Sequence, residues 1–182
     1  MTSDSATSTH ELLRQLVVLC DASSATTPEY GDASDVETVP TLDPSVRRPV
    51  TPMLRERFRF CGGWRLATHG DWLGIAEMEL VASGDLTEPR ISEIIAYKDA
   101  AALDWPNDAC GLFRADRVSL FAGSDLTYTR AYLLWFDGAS EPEVWAYDSN
   151  GEARYADLDA YLRAALNDDL SAYDKRWRLA ES

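Results

Sequence analysis

Histidine is almost absent from this chain: its 182 residues include two, His10 and His69, far apart in the sequence. Transition-metal sites gather imidazole and thiolate ligands, so two isolated histidines leave little to build one from. Cysteine is nearly as scarce. Cys20, Cys61 and Cys110 are odd in number, widely spaced and never in a CxxC pair. That argues against a disulfide framework and for a reducing compartment. Signature loops of common enzymes are missing too, with no GxSxG, HExxH, GxGxxG or Walker sequence. The acids in DLDAYLRAALNDD lack the alternating ligands and closing Glu of a calcium loop. No cofactor and no metal are expected.

Positive charge is also short. Lys and Arg number 17 against 31 Asp and Glu, for a net charge of -14. Such a surface repels phosphate backbones and anionic lipid heads, so direct nucleic-acid or membrane binding is not expected. It attracts a basic protein, or serves solubility alone. The longest apolar runs, LLRQLVVLC and AYLLWF, are too short to span a bilayer. The polar start MTSDSATST has no apolar stretch of a secretory signal. A soluble cytoplasmic protein is the expectation.

What is present suffices for one folded domain: 46% hydrophobic residues and six tryptophans. Ser8 to Glu11 has the form of a capping box before Leu12, Leu13, Leu16, Val17 and Cys20, which repeat with helical spacing. The helix of residues 1–20 is followed by an irregular, acidic, Pro/Ser/Thr-rich connection over 21–52, with Tyr30, Val36 and Val39 able to touch the core. Residues 53–182 form the main domain. Thr51-Pro52 opens a helix with Leu54, Phe58 and Cys61 on one face, and Gly62-Gly63 is expected to end it as a left-handed cap.

Beyond it, Trp64–Ala67 and Ile75–Val81 read as strands, and 91–98 as a helix with a strand as the alternative. Residues 117–123, 130–137 and 143–148 read as three strands, expected by their short connections to be neighbours in antiparallel hairpins. AYLLWF is apolar on both parities, as a central strand covered on both faces would be. Asn150-Gly151 marks a tight turn. Asp157 is placed to cap a helix carrying Leu158, Tyr161, Leu162, Ala165 and Leu166. YDKRWRL forms a basic tail, expected to fold back through Tyr173 and Trp177. The class is α+β: a mostly antiparallel sheet flanked by N-terminal helices and a C-terminal amphipathic helix.

Candidate chemistry is thin. Cys110 lies in a loop, and a small buried hydrophobe is the simpler reading than a nucleophile. The motifs HGDWLG and LDWPND each put Asp before Trp in a loop-like setting. Asp71, Trp72, Asp104, Trp105 and Asp108 are therefore the candidate partner-binding residues, because an exposed aromatic beside an acid suits a protein interface. The competing reading makes each Trp a plug at the core edge and each Asp a turn acceptor.

Across residues 50 to 168 the chain resembles the SUKH superfamily, which includes fungal cell-wall synthesis regulators and many bacterial immunity proteins. The resemblance lies in Gly62-Gly63 after a short helix, Leu120-Phe121-Ala122-Gly123, Val144 with Asp148, and Leu158-Tyr161-Leu162. It implies an α+β domain which binds other proteins and carries no catalytic residues. It further implies an antidote to a cognate toxin, often a nuclease, blocked by direct binding. A regulatory or scaffold module with another client, and a cryptic enzyme using Cys110 or a carboxylate pair, are the alternatives.

Overall fold

The computed structural model describes residues 7–22, 28, 36–103, 113–149 and 151–170. Two helices come early: α1 (Thr9–Ala22) and α2 (Pro52–Phe60). Between them β1 (Thr38–Pro40) and β2 (Arg47–Pro49) pair antiparallel, Val39 opposite Arg48. Part of the stretch expected to be irregular is thus a hairpin. It is stitched to the domain by Leu42 N–H on the Val118 carbonyl (2.8 Å) and the Ser119 hydroxyl on the Pro40 carbonyl (2.7 Å). Val39 is buried and Val36 packs on the core, as the sequence suggested; Tyr30 lies outside the described residues.

The main sheet contains β3 (Trp64–Thr68), β4 (Gly70–Trp72), β5 (Val118–Gly123), β6 (Arg130–Leu134), β7 (Glu143–Asp148) and β8 (Gly151–Tyr155). The spatial order follows the chain order, and each neighbouring pair is antiparallel. Between β4 and β5 lie α3 (Ile75–Ser83), α4 (Pro89–Ile94) and α5 (Ala96–Leu103), and α6 (Leu158–Leu166) follows β8. The fold is α+β.

Helices α1, α2 and α6 pack on one another, and α6 lies over β7 and β8. Leu12, Leu13, Leu16, Leu54, Phe58, Leu158, Tyr161 and Leu162 fill that layer. Asp157 caps α6 by accepting Ala160 N–H at 2.8 Å, as its place before the apolar stripe predicted. Elsewhere α3 and α5 pack on β5, and the Lys98 ammonium joins them by donating to the Ala82 carbonyl (2.7 Å). Every residue of β5 and β6 is buried. Cover on both faces explains why those strands are apolar on both parities.

Two local expectations are corrected. Ile75–Val81 is helical rather than extended. Glu77 accepts the Gly74 N–H at 2.8 Å, and Met78, Val81 and Ala82 turn inward at helical spacing. The first strand of that pair is instead answered by the three-residue β4. Gly62-Gly63 is not a left-handed cap. Helix α2 ends at Cys61, extended at φ -156°, and the chain runs directly into β3. Gly62 matters for another reason: a Cβ on Gly74 would stand 2.3 Å from its carbonyl oxygen. At 91–98 the helical reading holds, split into α4 and α5.

Candidate functional site

Three connections meet at one end of the sheet: the His69 turn between β3 and β4, the 124–129 loop between β5 and β6, and the Asp148–Gly151 turn between β7 and β8. Gly70 makes the first possible. Its φ is +89°, and a Cβ there would lie 2.4 Å from the Gly123 carbonyl carbon. Only glycine lets the turn sit against β5 in that conformation.

Beneath this end runs a chain of hydrogen bonds. Trp72 Nε1, which can only donate, bonds Thr68 Oγ1 at 2.7 Å. Thr68 Oγ1 lies 2.5 Å from the Tyr161 hydroxyl, and that hydroxyl lies 2.8 Å from His69 Nδ1. His69 Nε2 lies 3.8 Å from an Asp148 carboxylate oxygen. Burial lowers the His69 pKa to about 4, against the opposing pull of Asp148. Burial likewise pushes the Tyr161 hydroxyl above the ordinary tyrosine range. The chain ties β3, β4 and α6 together and exposes no reacting atom, since His69 and Tyr161 are both buried.

The 124–129 loop is held from within. Ser124 Oγ accepts Leu126 N–H (3.1 Å) and Thr127 N–H (3.0 Å), and Ser124 N–H donates to the Thr129 carbonyl (3.0 Å). From below, the Tyr97 hydroxyl of α5 bonds the Ser124 carbonyl (2.7 Å) and the Thr127 carbonyl. This fixed loop turns Leu126 and Tyr128 outward, at 78% and 82% exposure. Beside it, Arg130 stands between the Tyr97 ring and the Tyr147 ring, 4.0 Å from the latter's centroid. Its guanidinium donates to the Tyr132 hydroxyl and the Tyr128 carbonyl, both at 3.0 Å. Loop, strand and turn enclose an open concavity of about 880 Å³, reaching from Leu126 and Tyr128 to Asp148 and Ser149.

The residues singled out from the sequence fare differently. Trp72 is 1% exposed, packed edge-on to Trp64 and tilted against Phe121. It is a core residue because β4 is an inner strand of the sheet. Asp71 is equally buried. Its carboxylate accepts Leu66 N–H (2.8 Å) and pairs with Arg65 (3.2 Å) and Arg90 (3.0 Å), and Arg90 also pairs with Glu77. That carboxylate lets the non-glycine Leu66 hold φ +50° at the β3 bulge. Neither Asp71 nor Trp72 offers a free surface. Asp104, Trp105, Asp108, Cys110, Tyr173 and Trp177 lie outside the described residues.

Sequence reasoning took SDLTYT for a mere connection and passed over Leu126 and Tyr128. Their signal was faint: one Leu and one Tyr in a segment otherwise made of Ser, Thr and Asp. Among the described residues, no group of three His, Cys, Asp or Glu side chains could hold a metal ion. No helix among them is long and apolar enough to cross a membrane. Comparison with protein-family models, curated proteins and solved structures finds no match.

Proposed function

We propose that this chain is a non-catalytic binding protein of the immunity type, which holds and blocks a cationic protein, a toxin such as a nuclease being the leading case. One observation carries the reading: hydrogen bonds from Tyr97 and to Ser124 fix a loop that projects Leu126 and Tyr128 into solvent. Single exposed apolar residues are ordinary. A pair of them on a pre-organised turn is what an interface anchor requires, because little entropy remains to be lost on binding. The charge of -14 supports the same partner class. Proteins that grip phosphates are basic, and an acidic antagonist is steered to them rapidly. The inhibition would be steric and electrostatic, without turnover.

The test is co-expression with the product of the adjacent gene, scored by growth, followed by co-purification across a salt series. Rescue of growth with a salt-sensitive one-to-one complex supports the proposal. Growth unaffected by this chain, with no complex at low salt, ends it. Several weak clients in place of one tight partner would point to a scaffold module.

A further inference from the structure

We infer that the concavity between the 124–129 loop and the β7–β8 turn is the docking surface for an extended, lysine- or arginine-bearing segment of a basic protein. The inference rests on the proposed function and names its surface. The lip is apolar and fixed, formed by Leu126 and Tyr128. The rest of the rim carries hydroxyls and one carboxylate: Thr127, Thr129, Ser149 and Asp148.

This combination matches an aliphatic stem ending in a cation. The stem lies along Tyr128, whose ring face also attracts the charge, and the head turns towards Asp148. Arg130, on the floor, decides where that charge rests. Arg130 is 3% exposed, with its guanidinium against the Tyr97 and Tyr147 rings and hydrogen-bonded to the Tyr132 hydroxyl and the Tyr128 carbonyl. It repels a cation from the floor and leaves it at the Tyr128–Asp148 rim. An anionic ligand is disfavoured, because it would have to pass Asp148 to reach a guanidinium that is already enclosed.

The test uses the full chain and a labelled short peptide of alternating Arg and Ser, followed by fluorescence anisotropy at about 50 mM salt, where screening is weak. An alternating Glu and Ser peptide is the control. Tyr128→Ala should weaken the Arg peptide by about tenfold or more, as loss of an anchor does. Glu11→Gln, an acid removed from the exposed face of α1, should change it by less than about twofold, and a shared melting temperature should show both variants folded. A loss in Glu11→Gln as large as that in Tyr128→Ala would mean that the peptide is not held at this surface and would overturn the docking surface. So would unchanged binding by Tyr128→Ala, which leaves the proposed function standing with its surface elsewhere. If the wild-type chain ignores the Arg peptide altogether, the docking surface falls, and the proposed function is decided by the co-expression test alone. Sedimentation completes the set: a dimer that Tyr128→Ala converts to monomer makes a second copy the occupant and overturns the basic-partner assignment.

Discussion

His69 Nδ1 sits 2.8 Å from the Tyr161 hydroxyl, joining a turn of the sheet to a helix 92 residues later. With the folded pKa near 4 and the ordinary value at 6.5, the sign follows. Above pH 6.5 His69 is neutral in both states and nothing is lost. As pH falls towards 4 the unfolded chain takes up a proton that the folded chain refuses, and stability drops on the order of 3 kcal/mol. Glu141 acts in the opposite sense, because burial raises its pKa. Urea midpoints measured from pH 7 to pH 4 should therefore fall more steeply for wild type than for His69→Gln. Parallel curves would show that His69 titrates normally.

Arg57 is a buried cation with no carboxylate contact among the described residues. It donates to the Leu73 carbonyl (2.7 Å) and the Cys61 carbonyl (3.4 Å), lies 4.5 Å from the Phe58 ring centroid, and leaves Nε unbonded. Burial brings its pKa down to about 10, against the opposing effect of Cys61. Its stem packing should matter more than its charge. Arg57→Ala should cost about 3 kcal/mol or more by opening a cavity. Arg57→Met should recover most of that, because it refills the space and removes an expensive buried charge. Chemical denaturation of the two variants decides; equal losses would show the guanidinium itself to be essential.

Two left-handed glycines should respond differently to alanine. Gly70 has φ +89° and backbone atoms where a Cβ would go, whereas Gly84, the cap of α3, has φ +75° and open space. Gly84→Ala pays for conformation alone, about 1 kcal/mol. Gly70→Ala adds a clash with Gly123 and Ser124 that only backbone movement relieves, so about 3 kcal/mol or more is expected. Thermal melts of the pair provide the comparison, and similar losses would argue that the His69 turn can shift.

Asp71 is expected to act on stability rather than on a partner. Asp71→Ala leaves the Leu66 N–H without its acceptor and takes a carboxylate from Arg65 and Arg90, which keep Asp125 and Glu77, at a cost of about 3 kcal/mol. Asp71→Asn keeps an acceptor for Leu66 and should be milder. Peptide binding at the Tyr128 surface should survive Asp71→Asn at temperatures where the variant is folded. Selective loss of binding without loss of stability would restore Asp71 as an interface residue.

Some elements could be read from neighbours along the chain. Leu12, Leu13, Leu16 and Cys20 repeat at helical spacing, and α1 is there; Asp157 precedes an apolar stripe, and it caps α6. AYLLWF is apolar on both parities, and β6 lies within the sheet, covered on both sides. Ile75–Val81 misled because a short apolar run flanked by glycine suits a strand or a helix alike. The Glu77 side chain on the Gly74 N–H, visible only in three dimensions, settled it as a helix.

By itself the sequence determined the α+β class, the elements with a clear period and the excess of negative charge, all of which follow from local spacing and composition. Which aromatic faces water was decided only by tertiary structure. Trp72, beside an acid in a glycine-bounded stretch, went inside because β3 and β5 close over β4, while Tyr128, in a polar connection, stayed out because the Tyr97 hydroxyl holds its loop from below. Exposure depends on what packs over a residue from distant parts of the chain, and no local pattern encodes that.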